Sequence, residues 1–292
     1  MIRQLLSLVR FSHTLFALPF ALLAAAMAWA ANASNAPPTP FRWLDVAGIL
    51  TCMVFARSAA MAFNRIVDRN YDALNPRTAE RHLPAGQLSL AAVIAFTVVC
   101  SMGFVAGTLL FLPGNWLPIA ASVPVLLFLL GYSYAKRFTM LSHVWLGAAL
   151  MLAPLAAWAA VRPAWSWAPL LLGSAVLCWV TGFDVIYACQ DCEFDRRMRL
   201  RSLPARLGVG PALRVAAAMH ALMVILLLLL PLVYSPFGVV YTVGVLCLAG
   251  LLAYEHAIVR PDDLSRVNTA FFHVNVLVSL GLLAVGLADL LL

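Results

Sequence analysis

Residues 168–195 read APLLLGSAVLCWVTGFDVIYACQDCEFD, an apolar run that meets its first charge at Asp184 and ends crowded with acids. A helix at a protein–water boundary carries a polar stripe at a period of 3.6 residues. Up to Phe183 this stretch has none, so it suits hydrocarbon or other apolar helices on every side. About 20 such residues cross a bilayer core. Working outward, apolar runs at roughly 12–31, 43–63, 88–111, 116–134, 141–161, 168–189, 211–234, 237–256 and 268–291 predict nine membrane-spanning helices. Pro113-Gly114-Asn115 and Ser235-Pro236 punctuate the runs as tight turns on one membrane face.

Composition agrees with an all-α polytopic membrane protein. Of 292 residues, 64% are hydrophobic and 11% charged, and the mean hydropathy is +0.94, whereas a soluble domain carries about 25% charged residues. Soluble globular, disordered and fibrous classes are excluded. Nine spans take about 180 residues and leave only short loops, so residues 1–292 are expected to form one transmembrane domain. The stretch after Arg3 and Arg10 is read as the first span, not as a cleaved leader. Most of the six cysteines lie in apolar runs, as packing residues do. Cys189 and Cys192 form a lone C-x-x-C without a second pair, and helix packing is the preferred reading there too.

Charge sets the orientation. Of 19 basic residues, 16 lie at the N-terminus, in the loops after spans two, four, six and eight, or at the start of span seven, and only Arg42 and Arg162 fall opposite. The positive-inside rule then places the N-terminus and the even-numbered loops in the cytoplasm. The net charge of +7 reflects this topology and an anionic substrate. No nucleic-acid partner is called for, and there is no Walker A or G-x-G-x-x-G pattern. An offset of 120 residues lays Phe63-Asn64 on Phe183-Asp184 and Arg81-His-Leu-Pro-Ala85 on Arg201-Ser-Leu-Pro-Ala205, a faint parallel repeat.

Six of the 12 acids gather in two groups at the ends of spans two and six. In Asn64-Arg-Ile-Val-Asp68-Arg-Asn-Tyr-Asp72, positions four apart differ by about 40° around a helix, so three oxygen-bearing side chains share a face. Asp184, Tyr187, Asp191 and Asp195 are expected to share another. Like charges at such spacing repel, which calls for a cation. Magnesium suits hard oxygen ligands, takes one or two carboxylates and completes its octahedron with water and phosphate. Arg65, Arg69, Arg77, Arg81, Lys136, Arg137, Arg197 and Arg201 exceed what the aspartates need for pairing, as a diphosphate would require. At any single position, a solvated helix end neutralised by a neighbouring arginine is the competing reading.

These motifs resemble the UbiA superfamily of intramembrane aromatic prenyltransferases, marked by N-x-x-x-D-x-x-x-D near the end of the second helix and D-x-x-x-D near the end of the sixth. Asn64, Asp68 and Asp72 match the first, and Asp191 and Asp195, preceded by Asp184, match the second. Arg57-Ser-Ala-Ala-Met-Ala-Phe-Asn64 and Phe183-Asp-Val-Ile-Tyr-Ala-Cys-Gln-Asp191 look most like its bacterial 4-hydroxybenzoate polyprenyltransferase branch. The resemblance implies nine helices around a central cavity in the bacterial inner membrane, with the site toward the cytoplasm. It also implies a polyprenyl diphosphate donor, an aromatic acid acceptor, and Mg2+ held by Asp68, Asp72, Asp191 and Asp195. Asn64, Arg65, Arg77, Lys136, Arg137 and Arg201 would meet the diphosphate.

Arg57 and His13 are candidates for the acceptor, Arg57 through a carboxylate. Asp184 or Asp191 would accept the phenol proton. Tyr187 either faces an allylic cation through its ring or anchors the interface. Tyr132-Ser-Tyr134 resembles the loop that meets diphosphate in the family. Glu255-His256 reads as packing or solvated surface, and His82, His143, His220 and His273 are scattered without metal-ligand spacing. Two other functions compete: the same chemistry on a dihydroxynaphthoate, and a transporter, whose acids would sit near the bilayer midplane.

Overall fold

The computed structural model describes residues 2–8, 16–34 and 40–292. These form α1 (Ile2–Leu8), α2 (Leu18–Ala33), α3 (Trp43–Leu74), α4 (Leu90–Thr108), α5 (Leu117–Gly131), α6 (Ala135–Phe138) and α7 (Ser142–Val161). There follow α8 (Trp167–Ala188), α9 (Cys192–Arg197), α10 (Leu203–Leu207), α11 (Val209–Val233), α12 (Val239–Ile258), α13 (Val267–Thr269) and α14 (Asn275–Leu291). Turns of 3₁₀ helix end α4 and join α5 to α6 and α8 to α9, and a π-helical turn, Ala270–Val274, joins α13 to α14. Among the described residues there is no strand, only an isolated bridge between Arg260 and Asp263.

Eight helical stretches are long and apolar enough to cross a membrane, and α2 is a shorter apolar helix. They coincide with the expected spans, although residues 12–15 of the first lie outside the described residues. Two boundaries differ. α3 does not stop at residue 63 but runs on to Leu74, because Asn64–Leu74 has neither Gly nor Pro, and Arg65, Asp68, Arg69 and Asp72 alternate in sign at helical spacing. Hydropathy falls there while helix-forming tendency does not. The sixth span likewise continues through a 3₁₀ turn to Arg197.

By its internal contacts the chain divides into two compact units. In the first, Met1–Thr14 with Arg42–Ala135, α3 packs along α4, and both touch α5. Leu8, Ala62, Leu88 and Val93 form a buried cluster that joins α1 to this pair.

In the second, Leu15–Phe41 with Lys136–Leu292, α8 is the central helix, flanked by α7 and α11, while α14 packs on α2 and α12. Two-thirds of the α8 apolar window is buried (67%), more than in any other span, which is why its sequence is apolar all round. Small residues set the spacing. A Cβ on Gly147 would lie 2.5 Å from the Leu177 carbonyl oxygen, so α7 and α8 touch backbone to backbone there. One on Gly182 would overlap the His220 ring of α11.

Candidate active site

In the first unit, the end of α3 carries the first acidic motif as a single unbroken helix. Asn64 Nδ2 donates to Asp68 Oδ2 at 2.8 Å, and Arg65 Nη1 donates to Asn64 Oδ1 at 3.3 Å. Arg65 Nη1 also lies 4.0 Å from Asp72 Oδ2. The chain then folds back: Thr78 Oγ1 donates to the Asp72 carbonyl at 3.0 Å, and Arg81 Nη1 meets Asp72 Oδ1 at 2.7 Å. Arg77 sits in that return, its backbone N–H donating to Asn75 Oδ1. Asp72 Oδ2 is buried and accepts no hydrogen bond. About two turns before Asn64 on α3, Arg57 Nε is also buried without a hydrogen-bond partner. His13 lies outside the described residues.

In the second unit, the corresponding helix end is broken. The 3₁₀ turn Cys189–Asp191 separates α8 from α9, and such a turn advances about 120° per residue against about 100° in an α-helix. Asp191 is therefore rotated by about 60° from the position that a continuous helix predicts. Cys189 Sγ donates to the Val185 carbonyl, and Cys192 Sγ to that of Pro204, so both thiols serve packing. Lys136 Nζ lies 3.6 Å from Asp195 Oδ2, which is buried and accepts no hydrogen bond. Arg137 follows Lys136 on α6. Arg201 is turned differently from the expected diphosphate ligand. Its backbone N–H donates to the Lys136 carbonyl at 2.6 Å, and its Nη1 donates to the Phe138 carbonyl at 2.7 Å, which pins the loop after α9.

Tyr187 lies on Phe271, ring centroids 4.3 Å apart, and Phe271 also meets Phe183 at 5.4 Å. The π-helical turn places Phe271. Such a turn frees backbone carbonyls, and Asn275 Nδ2 donates to those of Ala270 and Phe271 and to Glu255 Oε1. Asn275 Oδ1 accepts from Trp179 Nε1 at 2.6 Å. Glu255, read from the sequence as packing or solvated surface, is fully buried, so the packing half of that reading stands.

Sequence reasoning missed His143. It is 1% exposed, and its Nδ1 lies 2.6 Å from Asp184 Oδ2. A single signal pointed to it, a titratable side chain at the start of an apolar span, and no spacing connects it to Asp184.

The UbiA prenyltransferase family model matches residues 17–277, a stretch that runs through both units. The chain belongs to this family. A 4-hydroxybenzoate octaprenyltransferase of Xanthomonas euvesicatoria is 34% identical over 80% of this chain and 79% of its own. One of Marinobacter nauticus is 30% identical over 76% of this chain and 74% of its own. Among solved structures, a UbiA homologue from Aeropyrum pernix K1 in its apo form superposes with a TM-score of 0.81 at 32% identity, covering 96% of this chain and 98% of that one. A homologue from Archaeoglobus fulgidus bound to GPP and Mg2+ shares the fold, with a TM-score of 0.74 at 19% identity, over 99% of this chain and 100% of that one. The protein is thus an integral membrane enzyme, a UbiA-family prenyltransferase.

The residues present fit a magnesium ion. Asp72 and Asp195 each hold one buried carboxylate oxygen that accepts no hydrogen bond, which a hard cation takes readily. Among the described residues no three His, Cys, Asp or Glu side chains form a ready cage.

Proposed function

We propose that this enzyme transfers a polyprenyl group from polyprenyl diphosphate to the ring of 4-hydroxybenzoate, giving the 3-polyprenyl product of the ubiquinone route. One observation carries the donor side of the reading. Two aspartate-bearing helix ends each combine a buried, unfilled carboxylate oxygen with nearby cations, Arg65 and Arg81 in one and Lys136 in the other. Relatives 30–34% identical and named for 4-hydroxybenzoate support the acceptor. Residues 1–292 would act as one prenyltransferase domain in a bacterial inner membrane, with the N-terminus and the site facing the cytoplasm.

Asp68, Asp72, Asp191 and Asp195 would hold the metal. Magnesium, when bound, supplies positive charge against the diphosphate as its bond to the allylic carbon breaks. Asn64, Arg65, Arg77, Lys136 and Arg137 add hydrogen bonds and fixed charge to the same leaving group, while Arg201, its Nη1 held by the Phe138 carbonyl, pins the loop after α9. Arg57, with a buried Nε that has no partner, would pair with the acceptor's carboxylate, His13 being the second candidate on that side. Tyr187 offers its ring face to the allylic cation, and the apolar helices keep water from capturing it. Asp184 or Asp191 takes the phenol proton.

Membranes that contain the chain, supplied with geranyl diphosphate, magnesium and either 4-hydroxybenzoate or a dihydroxynaphthoate, test the reading. Magnesium-dependent prenylated 4-hydroxybenzoate, abolished by EDTA, is expected. Product from the naphthoate alone would move the enzyme to menaquinone synthesis. No diphosphate release with either would overturn the reading of donor and metal.

A further inference from the structure

We infer that His143 is a positioning residue that fixes the Asp184 carboxylate as the base of the transfer step. This rests on the prenyltransferase reading above and adds the choice of base. The Leu203 backbone N–H donates to His143 Nε2 at 3.2 Å. Leu203 opens α10, so that N–H has no partner within its own helix. An Nε2 that accepts carries no proton, and the proton of the neutral ring therefore sits on Nδ1. Nδ1–H then donates to Asp184 Oδ2 at 2.6 Å. The ring is held at both nitrogens. It is further enclosed by the close approach of α7 and α8 at Gly147, one turn along the same face.

Partner chemistry separates Asp184 from Asp72 and Asp195. Asp72 is paired with Arg81 and Asp195 with Lys136, both permanent cations. Asp184 is paired with the His143 Nδ1–H instead. His143 does not take the proton over, because protonating Nε2 would set it against the Leu203 N–H. The ring carbon ortho to the phenol bonds to C1 of the prenyl group as the bond from C1 to diphosphate oxygen breaks, and the phenol proton passes to Asp184. The resulting dienone loses its ring proton to the released diphosphate and regains the phenol proton from Asp184.

The test uses the full chain in detergent with magnesium, geranyl diphosphate and 4-hydroxybenzoate. Release of diphosphate without acceptor is followed separately. His143→Ala is expected to lower kcat for transfer at least about tenfold while both KM values and acceptor-free diphosphate release stay within about twofold. Two further variants divide the ring's roles. His143→Asn keeps an N–H where Nδ1 stood and is expected to retain transfer within about threefold, whereas His143→Gln keeps only the side facing Leu203 and should behave like His143→Ala. The Asn and Gln pair decides the matter even if the Ala variant fails to fold. A more acidic phenol, 3-fluoro-4-hydroxybenzoate, should narrow the gap between the Gln variant and wild type. Equal loss of transfer and diphosphate release, equal activity of the Asn and Gln variants, or an unchanged gap with the fluorinated acceptor would overturn the inference. A wild-type chain that prenylates no acceptor would overturn the reading beneath it.

Discussion

The two acidic helix ends handle negative charge in an apolar protein by different means. In the first unit α3 stays helical through Asn64, Asp68 and Asp72, and the carboxylates are bound by an amide and by arginines from the same unit. In the second, α8 breaks into a 3₁₀ turn before Asp191, and its carboxylates divide: Asp195 lies near Lys136, while Asp184 is held by the buried, neutral His143. At the repeat offset Asn64 stands where Asp184 stands. The neutral amide donates to its own motif, and the acid accepts from a histidine on another helix. The first end thus meets its acids with an amide and with arginines, whereas the second meets one acid with a lysine and another with an imidazole.

The largest test breaks both ends together. Asp68→Asn and Asp191→Asn are each expected to cut turnover by a factor on the order of 10²–10³ while the protein still unfolds cooperatively in detergent. Chelation by EDTA should do the same to the wild type, with magnesium restoring activity. Full turnover in either variant would remove that motif from the metal site. Next in size is Arg57→Ala. Loss of one charge-assisted hydrogen bond, roughly 1.5–3 kcal/mol, should raise the KM for 4-hydroxybenzoate by about one to two orders of magnitude with kcat nearly unchanged. An acceptor without the carboxylate should respond to wild type and variant alike, and a wild-type KM in the variant would count against the contact.

Most of this was legible in the sequence because it is local. Apolar runs fix the spans through burial in hydrocarbon, and the four-residue spacing of Asn64, Asp68 and Asp72 fixes their common face. What stayed hidden depends on contacts between helices. Nothing adjacent to His143 in sequence shows that α7 lies against α8 at Gly147. The 3₁₀ turn at Cys189–Asp191 contains no Gly or Pro to mark it, so the sequence alone puts Asp191 on a continuous helix. Glu255 looked equally suited to a solvated loop end, and only the fold shows it fully buried beside Asn275. The continuation of α3 past residue 63 was hidden for the opposite reason, since hydropathy reports the membrane and not the helix.

Gly147→Ala sharpens the second end of the comparison. With the new methyl 2.5 Å from the Leu177 carbonyl oxygen and 2.6 Å from Thr181 Oγ1, α7 and α8 must separate, a strain of about 1–3 kcal/mol. Thermal unfolding should report that loss, and transfer should fall more than acceptor-free diphosphate release because His143 moves from Asp184. Gly250→Ala, where no atom lies within 4 Å of the added carbon, is the control and should be neutral or stabilising by up to about 1 kcal/mol.

The smallest effects come from two arginines at equivalent places in the repeat, Arg81 and Arg201. Arg81 meets the Asp72 carboxylate at 2.7 Å, with 23% of its own side chain but only 9% of that of Asp72 exposed, so its loss leaves a buried carboxylate oxygen without its partner, at a cost of about 1 kcal/mol or more. Arg81→Ala should therefore lower the unfolding midpoint modestly. Because it strips a cation from a carboxylate proposed to hold magnesium, the KM for the prenyl diphosphate should shift by roughly fivefold or less. Arg201 spends its guanidinium on the Phe138 carbonyl and its backbone N–H on that of Lys136. Arg201→Ala should thus loosen the loop that leads to Leu203 and lower the midpoint, with a smaller change in donor KM. If donor affinity falls equally in both variants, the two ends hold diphosphate in the same way. In that case the division of labour between them rests on His143 and Asp184 alone.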